Sequence, residues 1–189
     1  MAKLYFKYGV MGAAKTAMAL ITKYRYESTR MRCILVKPDA ENRDGERIIK
    51  SRIGLSSQCI LMSELESTVN DMIDVIIVDE AQFLTEKEVD YLSDIVDNMN
   101  IPVICYGLKT DFRTKMFEGS KRLFEIADEL EEVKTVCSCG KRAIINARID
   151  EDGKVVTEGN VIELGGDLKY KSLCRKHYKY MLKNTWQKK

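Results

Sequence analysis

Residues Gly9-Val10-Met11-Gly12-Ala13-Ala14-Lys15-Thr16 constrain this chain more than any other stretch. They follow an apolar, strand-like run, Leu4-Tyr5-Phe6, and open a helical one, Ala17-Met18-Ala19-Leu20-Ile21. A glycine-containing loop between a strand and a helix, ending in Lys-Thr, has the layout of a phosphate cradle. Backbone N–H groups at a helix start lack intrahelical partners, and the helix dipole adds partial positive charge there. Lys15 would set a full charge against the β- and γ-phosphates, and Thr16 would offer its hydroxyl to Mg²⁺. The pattern G-x-x-x-x-G-K-[ST] asks for glycine at position 14 and finds Ala14, whose Cβ is expected to strain the turn or crowd a phosphate. Gly12 returns some freedom to the loop. A turn that merely begins a helix would share these residues, so the rest of the chain must decide.

The rest alternates. After a first strand over 4–8 and a helix reaching 27 or 28, residues 31–36 form an apolar strand that Pro38 ends. Residues 39–52 read as a polar, mobile loop, 58–62 as a short strand and 64–72 as a helix. Residues 74–80 are the most strand-like run of all. Thr85 and Glu88 form a capping box for a helix reaching 98. A strand over 101–106, ended by Gly107, leads into a polar loop over 107–118 and a helix over 120–128. Strands alternating with helices predict a parallel sheet covered on both faces, with ligands at the carboxyl ends of its strands. Beyond Glu132 the rhythm changes. Short antiparallel strands are expected over 133–138 and 143–149, a turn over 150–153, an extended loop over 157–167, a basic helix over 175–184 and a frayed tail from 184.

Asp79 and Glu80 end the most strand-like run, on the same rim as the phosphate loop. Asp79 can reach Mg²⁺ there, leaving Glu80 for other work. Glu80 could orient water, giving an ATPase, or accept a proton from a substrate hydroxyl, giving a kinase. A solvated strand end is the plain reading of the same two acids, and the loop at 9–16 argues against it.

Cysteine usage separates into two groups. Cys33, Cys59 and Cys105 sit singly in apolar runs and read as small buried hydrophobes. Cys137 and Cys139, two apart on an expected strand, share a face. Cys174 and His177, three apart at a helix start, share another. His177 is the single histidine of the chain. Two such pairs suit a tetrahedral Cys₃His zinc site with every position filled by protein, hence structural.

The 189 residues carry 31 basic and 29 acidic side chains, so no excess positive field argues for nucleic acid or an anionic membrane. No apolar run approaches transmembrane length and the N-terminus has no signal-peptide pattern, so the expected location is the cytosol.

Taken together, Tyr5-Phe6-Lys7-Tyr8-Gly9-Val10-Met11 into Lys15-Thr16, Ser51-Arg52-Ile53-Gly54-Leu55, Val78-Asp79-Glu80-Ala81-Gln82-Phe83-Leu84, Tyr106-Gly107-Leu108-Lys109-Thr110-Asp111-Phe112-Arg113, and Gly165-Gly166 through Tyr170 to Cys174-Arg175-Lys176-His177-Tyr178 resemble one family. It is the zinc-containing, homotetrameric type of thymidine kinase, cytosolic in cells and also encoded by large viruses and phages. The resemblance implies an α/β fold: a P-loop, RecA-like domain over 1–132 with a parallel sheet flanked by helices, and a small zinc-binding lasso domain over 133–189 that closes over the nucleoside. It implies ATP-dependent phosphorylation of the thymidine 5′-hydroxyl, with Glu80 as base. Gly9, Val10, Met11, Gly12, Ala13, Ala14, Lys15, Thr16, Asp79, Glu80, Ala81 and Gln82 would form the ATP and Mg²⁺ site, with Arg43 near the phosphates. Phe112 would stack on the thymine, Met11 would line the base pocket and Tyr170 would lie at the sugar. Val161, Ile162, Glu163, Leu164 and Gly165 would belong to the closing loop. Structural zinc would fall on Cys137, Cys139, Cys174 and His177. The partners implied are thymidine, ATP and further copies of the chain.

Ala14 stands where that family has glycine, and Gly12 where it usually has a larger residue. A rival reading follows from the first departure: a nucleoside- or nucleotide-binding homologue with weak or no kinase activity. A plain ATPase and a zinc-ribbon nucleic-acid binder are further rivals, the last opposed by the near-neutral charge.

Overall fold

A computed structural model of the chain describes residues 1–41, 45, 47–160 and 170–186, with the backbone alone at 184–186. Six strands form one parallel sheet in the order β5-β2-β6-β7-β1-β8. They are β1 (Leu4–Gly9), β2 (Cys33–Lys37), β5 (Ile60–Leu61), β6 (Val75–Val78), β7 (Val103–Leu108) and β8 (Glu129–Glu132). Strand β6 lies inside the sheet, and all of its side chains are fully buried, which is why its sequence runs apolar without alternation.

The strands divide their side chains between two apolar layers. Ile34, Val36, Ile76, Val78, Val103 and Cys105 meet α3 (Glu86–Met99) and α4 (Glu118–Ile126) on one face. Leu35, Val75, Ile77, Ile104 and Tyr106 meet Ala19 and Leu20 of α1 (Lys15–Ser28) on the other. Helix α3 buries Val89, Leu92, Ile95 and Val96, the spacing of one helical stripe. Its expected capping box is present: Thr85 Oγ1 accepts from Glu88 N–H at 3.3 Å, and Glu88 Oε2 accepts from Thr85 N–H at 2.7 Å.

A second sheet holds β10 (Val155–Val156), β9 (Ile145–Ile149) and β11 (Tyr170–Leu173), all antiparallel, with α5 (Arg175–Trp186) beside it. Ile145, Ala147 and Ile149 point into an apolar cluster with Val155, Leu173, Cys174 and Tyr178. Val10, in the loop between β1 and α1, packs into the same cluster, so the two sheets meet at that loop.

Several boundaries differ from the sequence reading. The polar stretch 39–52 contains β3 (Ile48–Lys50), which forms a hairpin with β4 (Ser56–Gln58). The helix expected over 64–72 is a single turn, α2 (Leu65–Thr68), because Val69 turns to an extended conformation and Asn70 accepts the Met72 N–H at 3.0 Å. Gly107 does not end its strand; it pairs with Tyr8 inside β7. A Cβ there would lie 3.0 Å from Gln82 Oε1 and 3.2 Å from Phe6 Cε2, so glycine answers a packing demand. The strand expected over 133–138 is replaced by the parallel edge strand β8, its acidic run carried by β1 and by Lys7–Glu131 at 2.6 Å. Residues from 184, expected as a tail, remain helical through Trp186. The described start of the 157–167 loop, residues 157–160, is irregular; 161–167 fall outside the described residues, as do 187–189.

Candidate functional site

Two turns after parallel strands, and the zinc-type cluster, carry the chemistry. Strand β1 ends at Gly9, where a Cβ would stand 2.6 Å from the carbonyl oxygen of Val133, so the loop can start there only with glycine. The chain then turns back on itself, with Ala13 N–H donating to Val10 O at 3.3 Å. Ala14 occupies the N-cap of α1 in the left-handed region, φ 61° and ψ 25°. The strain expected from its Cβ is thus present, about 1–2 kcal/mol for an L-residue. Lys15 is buried and donates to Val10 O at 2.9 Å. Burial lowers its pKa, while Glu80 and Asp79 pull the other way, which places the lysine within electrostatic reach of both acids.

Asp79 follows β6 directly and is 3% exposed. Burial, then the neighbouring Glu80 charge, raise its pKa to about 7, although the Thr16 hydroxyl, the Glu80 N–H and Lys15 favour the carboxylate. Lys15, Thr16, Asp79 and Glu80 are therefore brought together as the sequence reading required. Thr16, Asp79 and Glu80 face one hollow with Lys37, Glu41 and Lys50. A buried, undercompensated carboxylate beside a hydroxyl is a donor set that suits a hard divalent cation.

Glu80 also sits in the left-handed region, at φ 52°. Its Oε2 accepts from Gln82 Nε2 at 2.5 Å, and Gln82 Oε1 accepts from Leu108 N–H at 2.9 Å. Gln82 is 1% exposed, so its amide links the end of β7 to Glu80. Ala81 is buried behind them in the sheet core.

Phe112 and Tyr170, expected at the nucleoside, are joined by a residue the sequence reading passed over. The Arg148 guanidinium lies 3.8 Å above the Phe112 ring and donates to Tyr170 Oη at 3.0 and 2.9 Å. It donates also to Asn160 O at 2.8 Å, where the expected closing loop begins. Phe112 is enclosed, with Arg148 over its ring, and is not an open platform. Asp111 shapes its turn by accepting from the N–H groups of Arg113 at 2.8 Å and Lys115 at 3.0 Å. Polar Asn146 and Arg148 alternating with apolar Ile145, Ala147 and Ile149 was the available signal. Val161, Ile162, Glu163, Leu164, Gly165 and Arg43 lie outside the described residues.

Cys137, Cys139, Cys174 and His177 present ligand atoms within 4.8 Å of one another. Cys139 and Cys174 sulfurs are 3.7 Å apart, close to the ~3.8 Å edge of a tetrahedron with zinc–sulfur arms of ~2.3 Å. The sequence argument for the first pair was wrong in one respect. Cys137 and Cys139 sit on a tight turn, not a strand, closed by Gly140 N–H to Cys137 O and Cys137 N–H to Lys141 O, both 2.8 Å. Burial opposes ionisation of Cys137, but the N–H groups of Cys139 and Cys174 and the His177 ring lower its pKa to about 6. Burial instead pushes Cys33 up to about 12 and raises Cys59 and Cys105, as expected of structural thiols. No described helix is long and apolar enough to cross a membrane.

Three outcomes follow from this geometry. Ala14→Gly should relieve the left-handed strain and raise stability by about 1 kcal/mol in urea titration; an unchanged or lowered midpoint contradicts it. The folded protein keeps a proton on Asp79 between about pH 4 and about pH 7 that the unfolded chain has lost, so this group's contribution to stability falls as pH rises through that window. In metal-free buffer Asp79→Asn should therefore be more stable than the parent at pH 8, the gap closing toward pH 4, and a pH-independent difference would sink the argument. Metal analysis should find one zinc per chain, and stripping it with a chelator should lower the melting temperature; a metal-free protein of equal stability would remove zinc from the account.

The family model described as "Thymidine kinase" matches residues 2–178. A thymidine kinase of Agrobacterium fabrum is 45% identical over 186 residues, covering 94% of this chain and 96% of its own. One from Haemophilus influenzae is 42% identical, covering 95% and 97%. One from Rhodopirellula baltica is 38% identical, covering 95% and 89%.

Proposed function

The chain belongs to the thymidine kinase family, and from that premise we propose that it transfers the γ-phosphate of ATP to the 5′-hydroxyl of thymidine, giving thymidine monophosphate. The observation that carries the mechanism is the meeting of Lys15, Thr16, Asp79 and Glu80 at one rim of the sheet. Phosphoryl transfer asks the protein mainly for positioning and charge neutralisation. The loop from Gly9 to Thr16 turns its N–H groups toward the phosphates, and Lys15 leaves the Val10 carbonyl to meet the β- and γ-oxygens. Glu80 accepts the proton of the 5′-hydroxyl as the oxygen attacks phosphorus. Gln82 holds the Glu80 carboxylate in place, and the left-handed backbone at Glu80 aims it. Thr16 and Asp79 would hold Mg²⁺, which when bound neutralises charge on the phosphate oxygens.

Arg148, Phe112 and Tyr170 form the wall beside base and sugar, and Met11 lines the base pocket; the closing-loop residues 161–165 and Arg43, assigned by resemblance, lie outside the described residues. We assign residues 1–132 to nucleotide binding and 133–189 to a zinc-braced lasso, place the protein in the cytoplasm and expect a homotetramer. Cys137, Cys139, Cys174 and His177 would hold zinc, which when bound ties the turn at 137–140 to the start of α5. The rival reading, a nucleoside- or nucleotide-binding homologue with weak or no kinase activity, rests on Ala14, and the kinase relatives favour turnover over it.

Assay with thymidine, ATP and Mg²⁺ decides between the readings, since a plain ATPase hydrolyses ATP without stimulation by thymidine. Glu80→Gln should lower turnover by about 10²–10⁴-fold, the usual worth of a general base, with thymidine affinity nearly unchanged. Turnover close to the parent's would remove Glu80 from its role.

A further inference from the structure

Met11 lies in the middle of the phosphate loop, yet both polar groups of its backbone are held from the second sheet. Its N–H donates to Asn146 Oδ1 at 2.7 Å, and its carbonyl accepts from Ser172 Oγ at 2.5 Å. Asn146 and Ser172 are directly opposite each other on β9 and β11. Asn146 is 2% exposed and spends its amide N–H on Thr110 O at 2.9 Å, which fixes which end of the amide faces the loop. Two residues along, the next pair on the same face is Arg148 and Tyr170, where Arg148, bonded to the Tyr170 hydroxyl, holds Phe112 and Asn160. A single face of this small sheet thus grips the phosphate loop, the 110–112 turn and the start of the 160s loop.

We propose that Asn146 and Ser172 are positioning residues for ATP: they hold the two peptide groups on either side of Met11 so that the strained loop presents its N–H groups to the phosphates. This rests on the reading of residues 9–16 as the ATP loop. The loop needs such a hold. Gly12 at φ 73° and Ala14 at φ 61° are both left-handed, and a short loop with two such residues has competing conformations. Strand β1 ends at Gly9, and Lys15 of α1 and the Ala13 N–H both bond back to the Val10 carbonyl, which leaves the Met11 backbone to the second sheet. Rotation of the two peptide groups that flank Met11 would redirect the N–H groups that follow. Neither Asn146 nor Ser172 need touch ATP or thymidine for this.

The test is steady-state kinetics on the full-length Ser172→Ala enzyme, varying ATP and thymidine separately, with melting temperature recorded. Ser172 is only half-buried, so the variant should fold. Loss of one such hydrogen bond should raise the KM for ATP by about tenfold. Because Met11 also lines the base pocket, the KM for thymidine should rise by clearly less than that for ATP, with kcat within about twofold, a split that a merely structural role would not produce. Ser172→Thr, which keeps the hydroxyl, should return the ATP KM to within about twofold of the parent. An unchanged ATP KM in Ser172→Ala, or equal rises in both KM values, overturns the proposal. If the parent enzyme itself shows no thymidine-dependent turnover, the functional reading has failed separately. The same variants are then compared by calorimetric ATP affinity, where an equal dissociation constant overturns the clamp and a weakened one upholds it.

Discussion

A carboxylate buried at the end of a central strand is costly, and the site is arranged around that cost. Asp79 has left water almost completely, with a second acid next to it in sequence. A hydroxyl, a backbone N–H and a buried lysine oppose the penalty without cancelling it, which is why the carboxyl remains half ready to take a proton near neutrality. A fold that keeps such a group must be recovering the energy elsewhere, and a cation with a polyphosphate is the chemistry that would do so. The same deficit explains why Lys15 is folded inward onto its own loop instead of reaching into solvent. Left-handed backbone occurs here too, at Ala14 and Glu80, one on each of the two turns, as it does at Arg30, Asn100 and Thr114 elsewhere.

How much of this the sequence disclosed depended on the range of the interaction. The β1–α1 loop with its Lys-Thr ending, the position of the acids after β6 and the capping box at Thr85 were legible because each is a local pattern. The apolar strands were legible because burial on both faces leaves a continuous run. Strand β8 was not, since Glu129, Glu131 and Glu132 carry no apolar signal and the pairing partner lies more than a hundred residues away in β1. The β3–β4 hairpin was hidden in the same way within a polar stretch. The metal cluster was found with the right residues and an incorrect local geometry, because spacing reports proximity and not the turn that creates it. Gln82 was assigned to the nucleotide by its place in a motif, whereas its side chain spans from Leu108 to Glu80 inside the protein.

The second sheet adds what the first cannot provide. A parallel sheet offers loops at one rim but nothing facing them. The three-stranded sheet lies across that rim, and its apolar cluster includes Val10 from the loop itself. Cys137 and Cys174 of the Cys/His cluster belong to the same small core, so a metal held there would brace it.

Strand β9 has no spare face. Ile145, Ala147 and Ile149 fill the small core while Asn146 and Arg148 serve the loops opposite, and all five are buried. A slip of one residue would exchange the two sets, driving a guanidinium into the apolar layer and leaving the loops without their anchors. Mispairing here would therefore ruin packing and chemistry in the same event, and no well-folded but misaligned form of this strand is available to accumulate.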